Sequence, residues 1–327
     1  MKKIAYLFPG QGAQYSGMAI DLLSSDAVNL LFQTASEILG KDIKEILAYD
    51  ADTLKRTDIS QPAITAANLA AAAFLNEKGF TPAACAGFSL GEYAALVCAG
   101  VISAADCFRL IKARGDAMQK TADNLRNQSC SCGKADTDAA PGMAAVIGLA
   151  PEQAESLITQ WTAEGLKDLY AANINSRKQL VVSGTAAALT EAQTRFKEAG
   201  AKRVIRLQVA GPFHSPLMAE AAQAFAPVLE TVSFSDPVIP VYSNVTGKLI
   251  TGGEEAKKLA LLQITSPVRW VEEESAVAAF GVDACFETGP GSVLQGLWKD
   301  ASLAGANGNE IPVFAAGTAE DISKIGA

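Results

Sequence analysis

"PAACAGFSLGEYAALVCAG", residues 82–100, is the stretch that decides the fold. It opens on an apolar run around Ala84–Ala86, passes through Gly87-Phe88-Ser89-Leu90-Gly91, and continues into an alanine-rich segment. Read together, these are a short buried strand, a sharp turn and a helix. The turn fits G-x-S-x-G. A side chain presented at the apex of a strand-to-helix turn needs neighbours with almost no bulk, hence glycine two residues to either side. The helix that follows supplies free N–H groups and a positive end, which together can hold a developing oxyanion. Ser89 is therefore a candidate nucleophile. The plainer alternative is an ordinary strand-to-helix turn capped by a serine.

Working outward, "KKIAYLFPGQGAQ" reads as a buried strand, Ile4 to Phe8, running into a Gly-rich turn. Helical patterns cover Ala27 to Leu39, Pro62 to Lys78, and Ala104 to about Ala122 with Ser103 as N-cap. Strands alternating with helices give an α/β class with a mainly parallel sheet. Residues 124–142, "NLRNQSCSCGKADTDAAPG", are polar and aperiodic and read as a surface loop. After it the order changes. "MAAVIGL" is a strand, "PEQAESLITQWTAEG" a helix with proline in its first turn, "LYAANI" and "QLVVSG" are two strands, "TAAALTEAQTRFKEAG" is a helix and "KRVIRLQVA" a strand. That β-α-β-β-α-β order is the ferredoxin-like unit, about 70 residues inserted into the larger α/β body. The expected division is 1–138 with 210–327 for the large subdomain and 139–209 for the small one.

A serine hydroxyl needs a base to become a nucleophile near neutral pH. His214 is the one histidine in 327 residues, so no other imidazole can serve Ser89. It lies in "GPFHSPLM", where the chain returns to the large subdomain, and clefts between subdomains are favoured sites. Nucleophile first and histidine late is the α/β-hydrolase order. Asp236 and Asp283 are the nearest downstream acids in apolar surroundings, but spacing selects neither as the group that orients the imidazole. A face count of the helix from Ala104 places Cys107, Leu110, Ile111 and Met118 on one side, and Arg114 falls among them. An inward arginine keeps its charge and needs an anion, either an internal acid or a substrate carboxylate gripped through two parallel hydrogen bonds.

A net charge of −8 argues against a general affinity for nucleic acid. The first apolar run is cut off by Pro9-Gly10, too short for a signal peptide, and no run approaches the roughly 18 apolar residues of a membrane span. A soluble, cytoplasmic protein is expected, with monomer as the default state. Cys130 and Cys132 are separated by a single residue, which is not zinc-site spacing, and they read as part of a solvated loop.

"LFPGQGAQ" (7–14), "GFSLGEYAAL" (87–96), Arg114, "GPFHSPLM" (211–218), "QITSPVRW" (263–270) and "FETGPGSVL" (286–294) occur in that order. Together they resemble the malonyl-CoA:acyl carrier protein transacylase family, over nearly the whole chain. The resemblance implies an α/β-hydrolase-like large subdomain with a ferredoxin-like small one, in agreement with the strand count. It implies that Ser89 carries the acyl group and that His214 takes its proton. The backbone N–H groups of Gln11 and Leu90 would form the oxyanion hole, and Arg114 would pair with the free malonyl carboxylate. It further implies that a main-chain carbonyl, at the position of Gln263, orients the histidine in place of an acid. Phe213 matches a preference for malonyl over methylmalonyl, with a plain core role as the alternative. The implied partners are malonyl-CoA and acyl carrier protein, with no metal or tightly bound cofactor. Arg177-Lys178 and "AKRVIR" (201–206) are candidate carrier-docking patches, with ordinary solvated charge as the plainer reading. Phe88 departs from the family's "GHSLGE", in which histidine precedes the serine. Other readings of the same residues are a trans-acting acyltransferase of polyketide synthesis, a serine thioesterase or hydrolase, and a non-catalytic carrier-binding module.

Overall fold

A computed structural model describes residues 2–129, 140–305 and 308–325. Cys130, Cys132 and most of the 124–142 loop lie outside the described residues. In chain order the elements are β1 (Ile4–Phe8), α1 (Asp26–Leu39), α2 (Ile43–Leu47), α3 (Thr57–Glu77), β2 (Pro82–Gly87), α4 (Gly91–Cys98), α5 (Ala104–Ser129) and β3 (Gly142–Ile147). Then come α6 (Pro151–Ala163), β4 (Leu169–Ser176), β5 (Gln179–Gly184), α7 (Ala186–Glu198) and β6 (Arg203–Arg206). The chain closes with α8 (Ala219–Glu230), α9 (Gly253–Leu262), α10 (Trp270–Ala279), β7 (Ala284–Glu287), α11 (Val293–Ala301), β8 (Val313–Ala315) and α12 (Ala319–Ile325).

The strands form two sheets. One is parallel, in the order β2-β1-β7-β8. Its central strand β1 is buried along its whole length and faces two cores. Ile4, Tyr6 and Phe8 pack into the helices α1, α3, α4 and α5, while Ala5 and Leu7 pack against Trp270, Leu294 and Trp298 on the other side. Covering both faces is what a parallel sheet requires, and it explains why β1 is apolar without alternation. The second sheet is antiparallel, in the order β4-β5-β3-β6, with α6 and α7 on one face and a core of its own in which Trp161 meets Phe196 edge-on at 4.7 Å. The segment before α10 is stitched to the antiparallel sheet where Val268 exchanges backbone hydrogen bonds with Ala172 and Ile174 of β4, each 2.8 Å.

Two helices depart from the sequence reading. α3 begins at Thr57, five residues before Pro62, because the side chain of Gln119 on α5 accepts from Thr57 N–H at 2.8 Å and caps the helix from a distant part of the chain. α5 continues to Ser129, so residues 124–129 are helix where a loop was expected. Its start agrees with expectation: the Ser103 hydroxyl accepts from Asp106 N–H at 3.0 Å. Among the described residues no helix is long and apolar enough to cross a membrane.

β1 and β2 end side by side, and their turns interlock. A Cβ on Gly91 would stand 2.0 Å from the Phe8 carbonyl oxygen, and one on Gly87 2.1 Å from the carbonyl carbon of Gly91. These are backbone atoms that cannot swing aside, so the glycines of G-x-S-x-G are fixed by the approach of two strand ends. Replacing Gly91 by alanine is expected to cost at least about 1–3 kcal/mol in denaturant unfolding, with a loss of Ser89 reactivity larger than the stability loss accounts for. Unfolding midpoints and serine labelling measured on the same preparation check both parts.

Candidate active site

Ser89 sits between β2 and α4 with φ of 50°, the left-handed region that residues with a side chain rarely adopt. His214 has φ of 56° and is held in its own tight turn, in which the Ser215 hydroxyl donates to the Pro212 carbonyl at 2.6 Å. The two unusual residues meet: Ser89 Oγ lies 2.7 Å from His214 Nε2. On the far side of the ring, Nδ1 lies 2.9 Å from the Gln263 carbonyl oxygen. A carbonyl only accepts, so Nδ1 carries the proton and Nε2 is left free to accept from the serine. Neither Asp236 nor Asp283 takes part. Asp236 accepts from Gly253 N–H at 2.9 Å and Asp283 from Lys3 N–H at 2.7 Å.

Gln263 follows the last residue of α9. Carbonyls at a helix C-terminus have no partner within the helix, which frees this one for the imidazole. The negative end of the helix also favours an imidazolium when one forms. The Gln263 side chain is as fully used. Its Oε1 accepts from Arg114 Nη2 at 3.0 Å, and its Nε2 faces the Ser89 carbonyl at 2.9 Å, Glu92 Oε2 at 3.1 Å and Asn244 Oδ1 at 3.1 Å.

Arg114 is 1% exposed, as the face count on α5 requires. Its guanidinium lies over the Tyr93 ring at 5.5 Å, and its Nη2 is 3.4 Å from Ser89 Oγ. Among the described residues no acid pairs with it directly, and its Nε has no hydrogen-bond partner. A cleft of about 290 Å³ opens over this group. The large subdomain contributes Gln11, Ser89, Leu90, Arg114, Phe213 and His214, and the antiparallel sheet contributes Asn173, Asn175, Gln179 and Val181. The backbone N–H groups of Gln11 and Leu90 have no acceptor among the described residues, and both residues line the cleft beside Ser89. Phe213 lines it while being 5% exposed, so its ring packs in the core and borders the cleft at once. The Ser183 hydroxyl of β5 donates to the Phe213 carbonyl at 2.5 Å and ties the small sheet to the histidine turn. Phe88, where the resemblance leads one to expect histidine, packs edge-on against Trp270 at 5.4 Å.

Sequence reasoning missed Glu92, Asn244 and Glu273. Asn244 Nδ2 donates to the Gly87 carbonyl at 2.7 Å and to Glu273 Oε1 at 2.6 Å, and its backbone N–H donates to Glu92 Oε2 at 2.7 Å. Burial pushes the Glu92 carboxyl up to about 7 and Glu273 well above the carboxylate range. An acid in the first turn of a helix ordinarily reads as a solvated cap. The available signal was that α4 is apolar on every side apart from Glu92, so no solvent face exists for it.

The acyl transferase domain family matches residues 5–313. The chain belongs to that family. It is 38% identical over 301 residues to the malonyl CoA-acyl carrier protein transacylase of Bacillus subtilis (strain 168), covering 91% of this chain and 90% of that one. Among solved structures it matches the crystal structure of MCAT from Streptococcus pneumoniae with a TM-score of 0.87 and 32% identity, covering 99% of both chains. It also matches PlMCAT, a malonyl-transacylase in complex with the type II PKS acyl-carrier protein AntF, with a TM-score of 0.85 and 34% identity over 98% of both chains.

In this acyl transferase domain burial, and then the Arg114 charge, hold His214 down to about 4, against hydrogen bonds to the Gln263 and Ser266 backbone that pull the other way. The neutral imidazole is the form that accepts the serine proton, so a depressed value keeps the base competent into acid. Phosphonylation of Ser89 by an uncharged fluorophosphonate is expected to hold its rate from pH 8 to below 6 and to lose half of it near pH 4. Half-loss at 6.5, the ordinary histidine value, is the contrary result.

Proposed function

We propose that this chain transfers the malonyl group from malonyl-CoA to the pantetheine thiol of acyl carrier protein, by way of a malonyl ester on Ser89, for fatty acid biosynthesis. The names of the relatives support the donor and the acceptor. The observation that carries the choice of acyl group is Arg114, a buried cation without an acid in direct contact among the described residues, 3.4 Å from the Ser89 hydroxyl. A simple esterase has no use for such a charge, whereas a malonyl group brings a carboxylate two bonds from the carbonyl under attack. The PKS carrier bound to PlMCAT makes a polyketide carrier the second reading for the acceptor. The working form is read as a cytoplasmic monomer.

The chemistry runs in two half-reactions. His214 Nε2 takes the proton as Ser89 Oγ attacks the thioester carbonyl, and the N–H groups of Gln11 and Leu90 receive the oxyanion. The C–S bond breaks, and His214 returns the proton to the departing CoA sulfur. The pantetheine thiol then enters the same cleft and gives its proton to Nε2, its sulfur attacks the ester carbonyl, and Ser89 leaves with the proton restored. An unperturbed thiol has a pKa of about 8.5, so a neutral imidazole beside it speeds the second half. The free malonyl carboxylate lies on the guanidinium throughout. Phe213 beside His214 crowds the malonyl α-carbon, where methylmalonyl carries its extra methyl.

Incubation with malonyl-CoA alone is expected to add one malonyl group on Ser89, stable until carrier protein is supplied, and Ser89→Ala removes it. Rapid release of free malonate without carrier identifies a thioesterase instead. Arg114→Ala is expected to lower kcat/KM for malonyl-CoA by about 100-fold or more, the worth of two charge-assisted hydrogen bonds, and to lower acetyl-CoA far less. Equal losses mean that Arg114 only holds structure. Phe213→Ser is expected to raise methylmalonyl relative to malonyl transfer by about tenfold, the scale of one methyl in an apolar pocket, in a direct competition assay.

A further inference from the structure

Glu92 lies three residues beyond the nucleophile, is 1% exposed, and has no part in the acyl transfer just described. One of its oxygens, Oε2, accepts from both Asn244 N–H at 2.7 Å and Gln263 Nε2–H at 3.1 Å. Two N–H donors converging on one oxygen favour the carboxylate. The other buried acid of the cluster, Glu273, receives a single donor from Asn244, leaves its Oε2 without a partner, and has Glu92 as a like-charged neighbour. The negative charge of the pair therefore resides on Glu92. The remaining charged or titratable groups acting on Glu92, Glu273 and Tyr93 are Arg114, Glu272, Glu274 and Cys107.

Between Glu92 and Arg114 stands a single carboxamide. Gln263 turns its oxygen to the guanidinium and its NH2 to the carboxylate. Reversing the amide would point donors at a cation and an acceptor at an anion, so the two charges fix its orientation. The guanidinium is thus answered from behind by an anion one amide away, while its front faces the cleft.

We propose that Glu92 is a positioning residue that sets donor specificity: it is the internal counter-charge of Arg114, relayed through the Gln263 carboxamide, and it limits how strongly Arg114 grips a donor carboxylate. This rests on the reading that Arg114 receives the malonyl carboxylate. The benefit to the reaction is turnover. A carboxylate held equally tightly in every state gains binding without rate, and the malonyl group must leave for the second thiol. Glu92 gives Arg114 enough compensation to let go.

The test measures kcat/KM for Ser89 acylation by malonyl-CoA and by acetyl-CoA, on the full chain at about pH 8, above the value of about 7 at which Glu92 titrates. Glu92→Gln keeps an oxygen for both donors and removes the charge. Its malonyl-to-acetyl ratio is expected to rise about threefold to tenfold, through a lower malonyl-CoA KM, the scale of one nearby opposite charge. Glu92→Asp, which keeps the charge, is expected to stay near the parent ratio. In an Arg114→Ala background the effect of Glu92→Gln on the ratio should vanish. The acetyl rate reports folding within each variant, and Glu92→Asn is the second neutral variant should Glu92→Gln be insoluble. If Arg114→Ala collapses the ratio while Glu92→Gln and Glu92→Asn leave it unchanged or lower both donors equally, the role of Glu92 is overturned and that of Arg114 stands. If Arg114→Ala leaves the ratio unchanged, the reading of Arg114 fails and this inference fails with it.

Discussion

The active site depends on the place where α9 ends. Gln263 caps that helix, and the carbonyl left free there lies 2.9 Å from His214 Nδ1 and holds the imidazole in a single tautomer. In a triad an aspartate does this work and also brings a full negative charge. Here a dipole replaces the charge. The imidazole is oriented equally well and its basicity is raised less, so its proton affinity is set by its burial and by Arg114. The Gln263 side chain then binds the Ser89 carbonyl and Arg114, so the residue that orients the base also braces the nucleophile turn and the cation. A shift of α9 by a fraction of an ångström would be felt at all three.

Arg114 depresses His214 through its charge. An anionic donor that pairs with the guanidinium cancels that charge, and the depression it causes goes with it. On the proposed reading, a carboxylate donor therefore strengthens the base as it binds, by removing the smaller of the two causes that depress it. A donor without a carboxylate meets a weaker base. On the proposed reading of Arg114, selection for the acyl group has two physical sources, an ion pair in the ground state and a proton affinity that follows from it, and both come from one guanidinium.

The parts legible in sequence are those whose cause is local. The elbow at 87–91 is read from its glycines because the clash that forbids a Cβ is a matter of chain geometry, although the atoms it meets belong to Phe8 as well as Gly91. The antiparallel sheet follows from strand and helix periods. His214 was found because it is the one histidine, and Arg114 because helical spacing put it among apolar residues. What stayed hidden is carried by backbone groups and by partners far along the chain. Every residue has a carbonyl, so nothing in the residue type marks that of Gln263; the resemblance alone pointed there. The true start of α3 depends on Gln119, which is 62 positions away from Thr57. Asn244 reads as an ordinary turn residue until Gly87, Glu92 and Glu273 are brought around it.

Burying Arg114, Glu92 and Glu273 together opposes folding, since the two ions Arg114 and Glu92 and the polar carboxyl of Glu273 lose water that the protein only partly replaces. Arg114 Nε and Glu273 Oε2 remain without partners, so compensation is incomplete. An apolar cluster of the same volume would be the more stable core. What the polar cluster provides is a cation already stripped of water, held rigid against Tyr93 and aimed past Ser89. A carboxylate arriving there meets donors that need no reorganisation, and the desolvation has been met during folding by the packing of two subdomains. The same logic explains why the counter-ion stands behind an amide. An acid in direct contact would satisfy Arg114 completely and leave nothing for a substrate, whereas none at all would leave a buried charge that the fold must absorb alone.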